Sequence, residues 1–173
     1  MNATMGQLET LIVNSPMRAA FARREIERFS RMTGLSQGAR VLDAGCGAGL
    51  TTGAIARVLR PAHLAAFDVD PGQVQRAKKR FWDASNVEVR QASAKAMPYA
   101  SGEFDAVYSS YAIEHVSWRN VPRLLAECRR VLKPGGQIVL ILPDTAAQVR
   151  WIMDHPDGWD GRGPFESFSG VLF

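Results

Sequence analysis

Three glycines at two-residue spacing, Gly45, Gly47 and Gly49, stand just behind an acid, Asp43, with Cys46 between the first two. Glycine adopts positive φ and lets a ligand lie close against bare backbone. Val41-Leu42 leads in and Leu50-Thr51-Thr52 opens a helical pattern, so the stretch is predicted to turn a buried strand sharply into a helix. N–H groups at the start of that helix are expected to be free for polar ligand groups. A second acid, Asp68, follows at the distance, about 20 residues, where a carboxylate accepts two hydrogen bonds from a ribose diol. The chemistry implied is the holding of a nucleotide-like cofactor. The G-x-G-x-G spacing differs from the G-x-G-x-x-G of dinucleotide sites. Asp43 would repel a pyrophosphate and suits a cationic part of a ligand. No Ser/His/Asp set or carboxylate pair suggests itself as a nucleophilic or acid–base centre.

These residues need elements to place them. Residues 7 to 13 are predicted to form a short helix. Ser15 and Pro16 begin another, running to Met32 with Gly34 at its end, and Phe21, Ile26, Phe29 and Met32 give it an apolar arc. Strands are expected at Arg40 to Gly45, His63 to Asp68, Asn86 to Arg90, Glu103 to Ser110 and Gln137 to Leu142. Helices are expected at 50 to 59, 71 to 82 and 119 to 132. Asp70 is the expected cap of the helix that Pro71 starts. His63, at the start of its strand, is expected on the surface. The alternation of strand and helix predicts an α/β fold with a mostly parallel sheet.

The glycine stretch resembles motif I of the class I S-adenosylmethionine-dependent methyltransferases. Phe67-Asp68-Val69-Asp70-Pro71 resembles that family's second motif. Phe104-Asp105, opening the fourth strand, and Leu132-Lys133-Pro134-Gly135-Gly136 between helix and strand are further matches. Tyr111-Ala112-Ile113-Glu114-His115-Val116 is similar to the family's segment after the fourth strand. The resemblance covers about residues 38 to 143 and is closest to the type 11 methyltransferases, which include enzymes of ubiquinone and menaquinone synthesis. It implies a three-layer Rossmann-like sheet, here truncated before the family's last two strands. It also implies three segments: a helical cap at 1–37, the cofactor-binding core at 38–143 and an incomplete stretch at 144–173. The N-terminal helix of the cap is either packed on the sheet or a lid over the cofactor.

The resemblance further implies that the chain is a methyltransferase with S-adenosylmethionine as cofactor and S-adenosylhomocysteine as product. The loop from Asp43 through Gly45, Cys46, Gly47 and Gly49 would underlie the amino-acid and ribose parts. Asp68 would bind the ribose and Val69 would lie against the adenine. Ala92, Ser93 and Ala94 stand where the family commonly has Gly-Asp-Ala, so a neutral serine replaces the adenine-binding aspartate; Ser93 is alternatively an ordinary loop serine. Ser109 would lie beside the methionine part. A sulfonium methyl is already activated, so orientation supplies much of the acceleration, and a base is needed only where the acceptor must lose a proton. His115 is the first candidate for it, imidazole titrating near neutrality, or else it shapes the pocket; Glu114 and Tyr111 are weaker candidates. Two other readings stay open: a non-catalytic or inactive protein of the same fold, and a nicotinamide-dependent oxidoreductase.

Length and composition fit one soluble globular domain. No apolar run is long enough to span a bilayer, no secretory signal pattern is visible, and no membrane partner is expected. Two cysteines without C-x-x-C spacing suggest neither a disulfide framework nor a zinc site, and no metal is expected. A reducing cytoplasm fits. The net charge is +4, its densest cluster Arg76, Lys78, Lys79 and Arg80. A solvated helix face is the ordinary reading of that cluster, and nucleic acid is not the expected partner. The expected partner is a small-molecule acceptor, with a homodimer or the tail covering the edge of the fifth strand.

Overall fold

A computed structural model of the chain describes residues 16–35 and 37–141. Five parallel strands form one sheet in the order β3-β2-β1-β4-β5: β1 Arg40–Ala44, β2 His63–Asp68, β3 Val87–Gln91, β4 Phe104–Ser110 and β5 Leu132–Ile141. The helices are α1 Pro16–Thr33, α2 Leu50–Leu59, α3 Pro71–Arg80 and α4 Val121–Val131. The central strands are apolar on both faces, as a sheet covered by helices on each side requires. Val41, Leu64, Ala106, Tyr108, Val139 and Ile141 face one way and bury Ala22, Ile26 and Phe29 of α1 with Ala54, Ile55 and Leu59 of α2. Leu42, Ala65, Phe67 and Val107 face the other way and bury Leu124, Cys128 and Val131 of α4. The three-layer α/β fold expected from the sequence is therefore present.

The chain lays down β1, β2 and β3 in one direction, then returns to the other side of β1 with β4. Ligands of open α/β sheets bind at such a reversal, beyond the carboxyl ends of the strands. Here that crevice lies between the ends of β1 and β4.

Some local expectations change. In α1 the buried stripe is Ala22, Ile26 and Phe29; Phe21 and Met32 are exposed. The helix is tied down at its C-terminal end, where the Gln137 side-chain amide donates to the Thr33 carbonyl (2.9 Å). Lys133-Pro134-Gly135-Gly136 is not a free turn before β5. Leu132 already pairs with Phe104, and the register then shifts before Gln137 pairs with Ala106; Gly135, at φ +75°, accommodates the irregularity. His63 is half-buried, its ring stacked on Phe104 at 6.5 Å. The short helix expected at 7–13, the Ser15 cap and residues 142–173 lie outside the described residues.

Asp105 ties three strands at the amino end of the sheet. It accepts from the Arg40 backbone N–H (2.8 Å) and the Lys133 ammonium (2.7 Å), and Arg40 also reaches Glu103 (2.8 Å). Phe-Asp and Lys-Pro-Gly-Gly thus serve the fold, at the end of the sheet opposite the site. Among the described residues β5 pairs only with β4, so the sheet has an edge there.

Candidate functional site

The glycine loop leaves β1 at its carboxyl end and runs into α2. Gly45, Gly47 and Gly49 all have positive φ (83°, 53° and 83°), and two of them are closely overlaid. A Cβ on Gly45 would stand 2.4 Å from the Ala112 Cβ, and one on Gly49 would stand 2.7 Å from the Phe81 ring. A Cβ on Gly47 would meet nothing within 4 Å. The loop is thus clamped at both ends and open in the middle.

Four of its backbone donors are committed. The Gly45 and Cys46 N–H groups both donate to the Phe67 carbonyl (2.9 Å each), Gly49 N–H donates to the Cys46 carbonyl (2.9 Å), and Gly47 N–H donates to Asp68 Oδ2 (2.8 Å). The expectation of free donors concerned the start of the helix at Leu50, beyond these residues. Four N–H groups turned inward do not make a phosphate cradle; the loop offers a ligand its open backbone surface instead.

Asp68 ends β2 beside this loop. Its Oδ2 holds Gly47 and its Oδ1 accepts from the Asp70 N–H (2.9 Å). A carboxylate oxygen accepts more than one hydrogen bond, so each keeps capacity for a hydroxyl of a diol. Val69 follows, 61% exposed, as a residue reserved for a ligand's apolar face would be. Asp70 has the separate task expected of it: its Oδ1 accepts from Gln73 N–H (2.9 Å) and caps α3.

Asp43 is fully buried, and Thr52 Oγ1 of α2 donates to its Oδ2 (2.6 Å). It braces the strand against the helix directly beneath the loop. Cys46 is buried as well. Burial first, then the charges of Asp43 and Asp68, push its thiol pKa far up, so it stays protonated and is not a nucleophile. Ser93 lies past β3, half-buried; its hydroxyl accepts from the Lys95 N–H (3.3 Å) and its carbonyl from the Ala96 N–H (3.0 Å). Ala92 N–H donates to the Asp68 carbonyl (3.0 Å), which brings the Ser93 loop beside Asp68. Ala94 packs on the α4-side core. Ser109 is buried near the carboxyl end of β4, beside Leu140. His115 is exposed, on a 3-10 turn at Ile113–His115.

Sequence reasoning missed what joins these parts. Tyr111, just past β4, has φ +52°, an uncommon conformation for a non-glycine residue. Its N–H donates to the Ile141 carbonyl (2.8 Å) and its hydroxyl to Glu25 of α1 (3.0 Å). The kink sets Ala112 against Gly45. It also links α1 to the site, and α1 continues for nine residues toward its N-terminus beyond Glu25. On the other flank, the Arg80 guanidinium donates to the Ala48 carbonyl (3.0 Å), and Phe81 lies on Gly49. No local pattern announces these contacts, since Tyr111 and Glu25 are 86 positions apart.

Residues 41–136 match the family model described as a methyltransferase domain. This chain belongs to the methyltransferase-domain family. The match spans the crevice strands and every motif that borders them. A demethylmenaquinone methyltransferase of Tropheryma whipplei is 33% identical over 110 residues, 64% of this chain and 44% of that protein. An uncharacterized methyltransferase of Synechocystis is 32% identical over 170 residues, 98% of this chain and 70% of that protein. The chain therefore spans less than half the length of the first of these methyltransferases. A SAM-dependent methyltransferase from Aquifex aeolicus shares the fold, with a TM-score of 0.72 at 20% identity, covering 89% of this chain and 88% of that one.

S-adenosylmethionine fits the donor set of this family member. It would offer a ribose diol to Asp68 and an adenine to Val69, and it has no pyrophosphate to demand free loop N–H groups. The open surface above Gly47 suits a sulfonium ligand lying on the backbone.

Proposed function

We propose that this chain binds S-adenosylmethionine at the carboxyl ends of β1 and β4 and transfers its methyl group to a small-molecule acceptor of quinone type. The observation that carries the cofactor reading is the Asp68–Gly47 bond. It consumes a loop donor that a dinucleotide would use and leaves the carboxylate with acceptor capacity for a diol. The bound cofactor supplies an activated methyl group on a positive sulfur. Asp68, Val69 and Ser93 hold the nucleoside, and the glycine loop and Ser109 fix the amino-acid end. Orientation of the acceptor behind the methyl does most of the rest. The acceptor reading is supported by the name of the Tropheryma relative. Where the acceptor atom carries a proton, His115, at the same edge, takes it.

Calorimetry tests the cofactor first: S-adenosylhomocysteine is expected to bind and NAD not to. Binding of NAD alone would replace this reading with the oxidoreductase one, and binding of neither would leave a fold without the activity. Transfer of labelled methyl to a reduced demethylated quinone tests the acceptor. With a hydroxyl acceptor, His115→Ala is expected to lower kcat about 100-fold or more. An unchanged kcat with an altered KM would make His115 a pocket residue.

A further inference from the structure

α3 and the residues just after it carry a surface that cofactor binding does not use. Residues 71–82 hold Arg76, Lys78, Lys79 and Arg80 and no acid. The chain has 21 basic and 17 acidic residues, so these four account for its whole net charge of +4, and the remainder is balanced at 17 of each. Two helix cations elsewhere are paired on their own helix, Arg23 with Glu27 in α1 and Arg130 with Glu127 in α4. On α3, Arg76, Lys78 and Lys79 are exposed and make no ion pair with any described residue. Gln73, Val74 and Ala77 take the buried side of the helix, which turns the cations outward together. Next to them Trp82 is 83% exposed, the most exposed large apolar side chain described.

We propose that this face docks the protein on an anionic lipid bilayer. Unpaired cations on one helix gain free energy near a negatively charged surface. An indole beside them suits the interfacial layer, with its apolar ring buried and its N–H wet. A convex helix face matches a flat surface, whereas single-stranded nucleic acid is usually held in a charged groove lined with stacking aromatics. The contact needs no spanning helix, and among the described residues no helix is long and apolar enough to be one. It runs against the expectation, from the sequence, that no membrane partner is involved. Because Arg80 and Phe81 rest on the glycine loop, docking would bring the cofactor end of the fold to the bilayer. The proposal itself does not depend on methyl transfer.

Co-sedimentation of the full chain with vesicles tests it. The protein is expected to partition onto mixed phosphatidylglycerol–phosphatidylcholine vesicles, to stay off pure phosphatidylcholine, and to be released as salt rises. Lys78→Ala with Lys79→Ala is expected to weaken partition roughly 30-fold. Trp82→Ala is expected to weaken it without changing the charge. All three positions are exposed, and thermal midpoints equal to the wild type's will show that the fold is kept. Failure to bind phosphatidylglycerol at low salt, or unchanged partition of either variant, would overturn the proposal. So would tighter binding to single-stranded RNA than to vesicles of equal phosphate content.

Discussion

Asp68 does two jobs with one carboxylate: it holds the loop through Gly47 and the next turn through Asp70, and it has capacity left for a sugar. Asp68→Ala is expected to cost about 1–3 kcal/mol of S-adenosylhomocysteine binding, measured by calorimetry. Asp68→Asn keeps an acceptor for one N–H and is expected to lose less. Equal affinity in both variants and the wild type would remove Asp68 from the site. Ser93 gives the complementary prediction. Its hydroxyl is occupied by the Lys95 N–H at the long distance of 3.3 Å, a turn contact that an aspartate also makes. Ser93→Asp is therefore expected to keep the loop and tighten cofactor binding several-fold through a charge-assisted bond to the adenine amine. Looser binding in a folded variant would mean that residue 93 faces elsewhere.

At the scale of elements, Tyr111 decides how α1 and the glycine loop sit. Tyr111→Phe removes the bond to Glu25 and leaves the ring. A single hydrogen bond contributes about 0.5–1.5 kcal/mol, so amide exchange in the N-terminal half of α1 is expected to rise roughly three- to tenfold. Exchange in α4, which packs on the opposite face, is expected to stay as it was. Uniform acceleration in both helices would point to global destabilisation in place of a local tie. The elements themselves were legible in the sequence because their signals are local: α2 and β2 run between their expected ends, and Asp70 and Pro71 start α3 as capping chemistry dictates. The glycine loop and Asp68 were legible for the same reason. What was not legible is non-local. The pairing of Leu132 with Phe104 depends on a strand nearly 30 residues away, the outward turn of Phe21 on where α1 meets the sheet, and the inward commitment of the loop N–H groups on the Phe67 carbonyl of a neighbouring strand. Resemblance marked Phe-Asp and Lys-Pro-Gly-Gly as motifs, and only the folded chain shows that their charges meet at Asp105 and Lys133.

At the scale of the whole molecule, two carboxylates whose ionised forms are selectively stabilised fasten the fold, one across strands and one between α4 and the 97–99 segment. Glu127 of α4 accepts from Arg130 (2.7 and 2.8 Å) and from the Met97 N–H (2.7 Å), and Arg130 goes on to the carbonyls of Tyr99 and Met97. This network fixes the 97–99 segment over the α4 side of the core. The Arg130 bond above all, with the Met97 N–H, holds the Glu127 carboxyl at about 2, below its ordinary value of 4.5. Asp105 is shifted the same way, by Lys133 first and then the Arg40 N–H. A carboxylate whose pKa is lower folded than unfolded binds fewer protons in the folded state. It contributes its full stability above the unfolded value and loses it as pH falls toward the folded one. The thermal midpoint is therefore expected to be steady from neutrality to about pH 5 and to fall between pH 4.5 and 2. Glu127→Gln, which cannot titrate, is expected to be less stable than the wild type at pH 7 and to approach it near pH 2. Parallel curves for the two proteins across that window would show that Glu127 gains no net favour from ionisation, and would place the acid sensitivity with Asp105.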